Sequence, residues 1–370
     1  MKGLFNTGKS AQDTPLTDSE TETITDFNTA PEGETESTEI LEPTEQNAAP
    51  ELESTGTHYS IGIDLGTTHC VLSYVDISDL EADDREQKVL QIPQLTAPGT
   101  IEDKAQLPSF LYQAHEAEIN AGDTALPWTP KPDYLVGEIA RNLGSKTPIR
   151  LVSSAKSWLC HAGVDCKSPI LPTEAPEEVT RVSPYQASVA YLQHLCDAWD
   201  QQHPNTPIAE QEITITVPAS FDPAARELTA EAARSVGLQN AILLEEPQAA
   251  LYSWIEKSHG DWRNHATVGD IILVIDVGTT DLSLIAVTEE AGNLNLTRIA
   301  VGDHILLGGD NMDLALAYTL KAKLEKESKR LEPWQVQALT HACRDAKEKI
   351  LSDNEADNIP IVVPNRGSSL

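Results

Sequence analysis

Ile63-Asp64-Leu65-Gly66-Thr67-Thr68 and Ile275-Asp276-Val277-Gly278-Thr279-Thr280 are one hexapeptide but for a single aliphatic exchange. Each ends an apolar run, Tyr59–Leu65 in one case and Ile271–Asp276 in the other. Each leads into a second β-like stretch, Val71–Ile77 and Leu282–Val287. Two strands around a short polar loop read as a hairpin. A repeat about 210 residues apart predicts two similar half-domains facing a cleft, not a short-period solenoid. A turn of Gly and Thr lets backbone amides approach an anion closely, and its hydroxyls add hydrogen bonds. An Asp at the strand end suits Mg²⁺ held through water, because Mg²⁺ takes oxygen ligands and keeps its own waters. Two such turns face to face would grip the phosphates of a nucleotide. One alone could be a structural hairpin turn; two in the same strand context are a stronger signal.

Between and beyond the repeats the pattern is α/β. Residues 88–113 hold short β-like pieces broken by Pro93, Pro98 and Pro108. Residues 185–200 space Ala187, Ala190, Tyr191, Leu195 and Ala198 as one face of a helix. Ile213–Val217 reads as a strand stopped by Pro218. Pro223–Val236 reads as a helix with Asp222 as its N-cap and Gly237 past its end. A strand at Ala241–Leu244, a helix at Pro247–Lys257, and two closing helices at about 310–328 and 333–351 complete the reading.

The 370 residues allow two or three domains. The chain carries 26 Lys and Arg against 58 Asp and Glu, a formal net charge of −32. Such a chain repels phosphate backbones and anionic lipid heads, which disfavours nucleic-acid and membrane partners. No run of 18 apolar residues spans a bilayer and no apolar signal segment opens the chain. Five cysteines at irregular spacing (Cys70, Cys160, Cys166, Cys196, Cys343) form no disulfide framework and suit a reducing, cytoplasmic compartment. Cys160 and Cys166 flank His161 but lack the paired spacing of a zinc site, so they read as ordinary thiols. Residues 1–57, with two Lys and thirteen Asp or Glu, read as a disordered acidic tail. Within it, Gly3 to Ser10 spells the P-loop pattern. Neither strand nor helix flanks it there, so it reads as a coincidence of letters.

Four segments in order resemble the DnaK-type 70-kDa heat-shock chaperones of the actin-like ATPase superfamily. Ser60–Ser73 (SIGIDLGTTHCVLS) is similar to that family's first phosphate loop. Ile215–Leu238 (ITVPASFDPAARELTAEAARSVGL) is similar to its strand–turn–helix, and Ala241–Leu251 (AILLEEPQAAL) to its Glu-Pro-x-Ala-Ala connector. Gly302–Asp313 (GDHILLGGDNMD) is similar to its Gly-Gly-Asp/Glu segment. The resemblance implies an actin-like ATPase fold, with two similar lobes around a nucleotide cleft, at 58–245 and 246–370. It implies ATP/ADP and Mg²⁺, with Asp64 and Asp276 holding the ion's water shell. Gly66, Thr67 and Thr68 would meet phosphate in the first loop, and Gly278, Thr279, Thr280 and Asp281 in the second. Glu246 would sit near the attacking water and Lys156, with Leu135-Val136-Gly137 upstream, would be the catalytic lysine. Gly308, Gly309 and Lys347 would lie toward the nucleoside. Unfolded polypeptide, a J-domain co-chaperone and a nucleotide-exchange factor are the partners implied, and protein folding under stress the implied role.

Two departures bear on activity. The family's second loop usually reads Asp-x-Gly-Gly-Gly-Thr-x-Asp, whereas Asp276–Asp281 is two residues shorter. Arg344 and Glu348, beside Lys347, are exchanged in sign relative to the family's usual Glu and Arg. After Val362-Val363-Pro364 the family continues with an adenosine loop, a peptide-binding domain and a lid. The expectation is therefore an ATPase domain with an incomplete second lobe, binding MgATP poorly and turning it over slowly. A sugar or acetate kinase and a non-hydrolysing actin-like scaffold share the fold, but the Val-Pro-Ala and Glu-Pro-x-Ala-Ala segments argue for the chaperone branch.

Overall fold

The computed structural model describes residues 57–363 except 80–84, 116, 121, 162, 174, 260, 279, 291–292, 303–304, 306 and 353–357. The acidic tail up to Gly56, with its P-loop lettering, and Thr279 therefore lie outside the described residues.

In chain order the elements begin with β1 (Tyr59–Leu65), β2 (His69–Asp76), β3 (Lys88–Val89), β4 (Ile92–Ala97), β5 (Thr100–Lys104), β6 (Leu107–Pro108), β7 (Leu111–Tyr112) and β8 (Leu135–Val136). Then come α1 (Glu138–Gly144), β9 (Leu151–Val152), α2 (Ala155–Leu159), α3 (Pro184–Gln202), β10 (Glu212–Val217), α4 (Pro223–Ser235), β11 (Ile242–Glu245) and α5 (Glu246–Lys257). The chain continues with α6 (Trp262–His265), β12 (Ile271–Asp276), β13 (Asp281–Glu290), β14 (Asn293–Val301), α7 (Gly309–Lys326) and α8 (Pro333–Ser352).

The first sheet runs β11-β10-β1-β2-β3, with β6 also on β2. β1, β10 and β11 are parallel, and β2 returns antiparallel from the first Gly-Thr turn. Alternation along β1 sends Ile61, Ile63 and Leu65 into the core, where they meet Ile213 and Ile215 of β10. α3 covers that face with Tyr191, Leu192, Leu195 and Trp199. Its start is specified locally. The Gln186 amide donates to Ser183 Oγ at 3.0 Å, the Ser183 amide donates back to Gln186 Oε1 at 2.9 Å, and Pro184 opens the first turn. In α4 the Ala225 amide donates to the Asp222 carboxylate at 2.7 Å, and Gly237 leaves the helix at φ 95°.

The second sheet is the antiparallel meander β12-β13-β14. One face packs on α5 and α6 through Val287, Trp262, Ile255 and Ile272. On the other, Ile271, Leu273 and Ile275 are 60%, 53% and 57% exposed. α7 and α8 pack on each other around Ala317, Leu339 and Cys343, with Ile361 and Val363 against them.

Most expected elements stand at their expected places. The differences are additions. β14, α1, α2 and α6 carried no strong sequence signal, and β13 runs three residues past the expected Val287. Each addition is short or half-exposed, so its apolar periodicity is weak.

Candidate functional site

Parallel pairing of β1 with β10 sets Asp64 opposite Thr216 at the carboxyl ends of both strands. Open α/β sheets gather ligands beyond such ends. Thr216 Oγ1 donates to Asp64 Oδ1 at 2.9 Å, and the Asp64 side is exposed. The next turn is held from beneath by one residue. Ser109 Oγ donates to the Gly66 carbonyl at 2.7 Å and the Ser109 amide to the Thr68 carbonyl at 2.8 Å. A Cβ on Gly66 would collide with the His69 carbonyl, so the bend requires glycine. The Gly66 and Thr68 carbonyls are so engaged, and the amides of Gly66, Thr67 and Thr68 donate to no acceptor among the described residues. Cys70, behind the turn, is fully buried beside Ser109, and burial pushes its thiol up to about 12.

α2 and α5 bring the next two groups together. Lys156, second residue of α2, donates from Nζ to Glu246 Oε1 at 2.5 Å, and Glu246 opens α5 directly after β11. Both side chains are mostly buried. Burial works to lower the Lys156 pKa, but Glu246 and then Asp64 outweigh it, and the net direction is up. Burial raises Glu246, and a hydrogen bond with Asp276 adds to this against the pull of Lys156. Asp64, Lys156, Glu246 and Asp276 thus form one electrostatic group, three carboxylates against one ammonium. That surplus of negative charge suits a hard divalent cation. Among the described residues no three His, Cys, Asp or Glu side chains are gathered closely enough to hold an ion directly.

The second turn is arranged differently. The Thr280 amide donates to the carbonyls of Ile305 (2.9 Å) and Leu307 (3.1 Å), and Thr280 Oγ1 donates to Leu307 at 2.6 Å. Asp281 is buried and accepts from Ser220 Oγ at 2.9 Å. Gly278 lies so close to Gly308 that a Cβ on Gly308 would strike its carbonyl. Thr67 and Gly278 nevertheless line one pocket, with Asp310, Asn311, Trp158 and His161.

Gly309 opens α7, and its carbonyl accepts from Lys347 Nζ at 3.1 Å. Lys347 also pairs with buried Asp313 at 2.7 Å, so its ammonium turns into the α7–α8 contact. Arg344 pairs with Asp310 and, at 2.8 Å, with Asp313, and lies 5.1 Å over the Phe110 ring. Arg141 of α1 reaches Asp345 (2.5 Å) and Glu348 (2.6 Å). The sign exchange at 344 and 348 is therefore matched by neighbours of opposite charge. Asp310 had a visible signal in the Gly-Gly-Asp segment. Ser109, Ser154 and Arg141 had none, because their partners are distant in sequence.

A mixed α/β protein with two Gly-Thr turns beside a buried Lys–Glu pair is the class that fold and site define. Comparison with known proteins narrows it. The family model described as Hsp70 protein matches residues 102–367. The chain is 30% identical over 317 residues to the chaperone protein HscA homolog of Acinetobacter baylyi, a match covering 84% of this chain and 44% of that protein. The chain belongs to the Hsp70 family, and that membership carries the actin-like ATPase fold. It spans about half the length of the curated relative it matches. No helix among the described residues is long and apolar enough to cross a membrane.

Proposed function

We propose that the chain binds MgATP in a cleft between a first lobe, 58–245, and a second, 246–370, and hydrolyses it as the nucleotide-binding part of an Hsp70-type chaperone. The observation that carries this reading is the Lys156–Glu246 pair set between Asp64 and Asp276. The amides of Gly66, Thr67 and Thr68 are free to receive phosphate oxygens. Asp64 and Asp276 are the residues that would hold Mg²⁺ through water, and the ion when bound would neutralise charge on the phosphates. Glu246, its pKa raised, orients the attacking water and accepts its proton. Lys156 fixes Glu246 and faces the transferring group. Gly278, Thr279, Thr280 and Asp281 border the phosphates from the other side, and Gly308 and Gly309 lie toward the nucleoside, with Lys347 bracing them from the α7–α8 contact through the Gly309 carbonyl and Asp313. Turnover is slow, because Thr280 already spends its amide and hydroxyl within the protein. Action on unfolded polypeptide with a J-domain co-chaperone and an exchange factor is the corresponding proposal for the longer family architecture.

Calorimetry with MgATP tests the reading. Asp64→Asn should weaken Mg²⁺-dependent binding about tenfold or more, the size of one lost charge-assisted contact, with an unchanged melting temperature. Equal affinity and equal Mg²⁺ dependence in the variant would remove Asp64 from the site.

A further inference from the structure

Ser154 immediately precedes α2 and stands at φ 55°, ψ 29°, the left-handed region. That region disfavours a non-glycine residue by roughly a factor of ten in population, about 1.4 kcal/mol. A serine at a helix N-cap ordinarily turns its oxygen back to accept from the first-turn amides. Ser154 does not: it makes no capping bond. Its hydroxyl donates instead to Asp310 Oδ2 in α7, 156 residues away. The other Asp310 oxygen accepts from Arg344 of α8, which Asp313 holds at 2.8 Å. Two residues beyond Ser154 is Lys156, bonded to Glu246.

We infer that Asp310 is a positioning residue that sets Lys156 through Ser154, so that the Lys156–Glu246 contact depends on α7 being docked. The bond to Asp310 is what offsets the left-handed backbone at Ser154. Without that acceptor Ser154 relaxes to an ordinary conformation, the first turn of α2 shifts, and the Lys156 ammonium leaves Glu246. With it, α2 is held in register with the second Gly-Thr turn, since Asp310 lines the same pocket as Thr67 and Gly278. The consequence for catalysis rests on the ATPase reading above. The positional coupling does not.

The test therefore uses the nucleotide-free 370-residue chain. Reactivity of the Lys156 amine toward an N-hydroxysuccinimide ester is followed by mass spectrometry, with circular dichroism to establish that each variant is folded. Ser154→Ala keeps the cost of the left-handed backbone but loses the bond that offsets it, so position 154 relaxes and Lys156 labelling should rise about tenfold, the population factor above. Ser154→Gly loses the bond too, but glycine tolerates the left-handed region, so Lys156 should stay near its wild-type protection. Asp310→Ala should expose Lys156 in the wild-type background and have little further effect in the Ser154→Gly background. A protein that merely loosened would expose Lys156 in both Ser154 variants. Equal labelling of Ser154→Ala and wild type, or equal exposure of the Ala and Gly variants, overturns the inference. MgATP calorimetry on the wild-type chain decides the ATPase reading separately, since neither result determines the other.

Discussion

After β1, the amides of Gly66, Thr67 and Thr68 point to no protein acceptor among the described residues. After β12, the Thr280 amide is already shared between Ile305 and Leu307. The strands behind the turns differ as much. Ile61 and Ile63 are about 1% exposed or less, whereas Ile271, Leu273 and Ile275 stand more than half exposed, and Leu65 at 8% corresponds to Val277 at 58%. Nearly identical hexapeptides therefore make one turn whose three Gly-Thr amides meet no acceptor among the described residues, on a covered strand, and one whose Thr280 amide and hydroxyl are spent, on an open strand. Local sequence sets the bend. What packs around it sets whether its donors face a ligand and whether its aliphatics lie in a core.

The largest effect should come from a charge on each strand. Ile63→Asp buries an unpaired carboxylate and should cost about 3–4 kcal/mol or more in urea unfolding. Ile275→Asp, on the exposed face, should stay within about 0.5 kcal/mol of wild type. Similar losses in both would erase the difference between the strands. Next in size, inserting two glycines after Gly278 should add free amides to the second turn. It should raise single-turnover phosphate release about a hundredfold, the range of one restored oxyanion donor. An unchanged rate would mean that amide supply does not separate the two turns.

A smaller effect is pH-linked, and one of its sources lies beside the first sheet. His194 of α3 is buried, with Nε2 donating to the Pro93 carbonyl at 3.0 Å, and burial lowers its pKa to about 4. The folded state thus disfavours its protonation. The stability it contributes is complete above the unfolded value near 6.5 and is lost as pH falls toward 4. At pH 5 the loss is about 2 kcal/mol. β12, β13 and β14 contain no histidine. Burial lowers His341 of α8 to about 4 as well, so His194→Gln should remove about half of the pH 7-to-5 change in urea midpoint, and an equally steep change in the variant would place the acid sensitivity elsewhere. The smallest effect belongs to the tail: removing residues 1–56 should leave MgATP affinity and melting temperature nearly unchanged. Loss of binding in Lys9→Ala would restore the Gly3–Ser10 lettering to consideration.

Elements with their own punctuation were legible from sequence. Ser183-Pro184 with Gln186, and Asp222-Pro223 with Gly237, mark helix ends by local hydrogen bonding and backbone preference. The four charged groups of the site were legible through the strand-end Asp repeat and the flanking family segments. Two kinds of fact were not. The apolar runs at 59–65 and 271–276 read alike, because periodicity reports which residues share a face and not what covers it. The partners of Ser154, Arg141 and Arg344 lie more than a hundred residues away or on another helix, and no spacing rule connects them. Ser154 illustrates this most clearly: as a serine before a helix it reads as a cap, and only the distant Asp310 diverts it.

The open face of β12 also has a colloidal side. Its aliphatics belong to a chain of formal net charge −32, so two molecules approaching face to face bring like charge together before any apolar contact forms. That barrier reaches about one Debye length, roughly 8 Å at physiological ionic strength and 3 Å at 1 M. Dispersal of the protein is then a property of its counterion atmosphere more than of its folding free energy. Added salt thins the barrier, and an excluded anion such as sulfate also strengthens the apolar attraction behind it. The same net charge that disfavours a phosphate-rich partner also opposes the approach of a second copy.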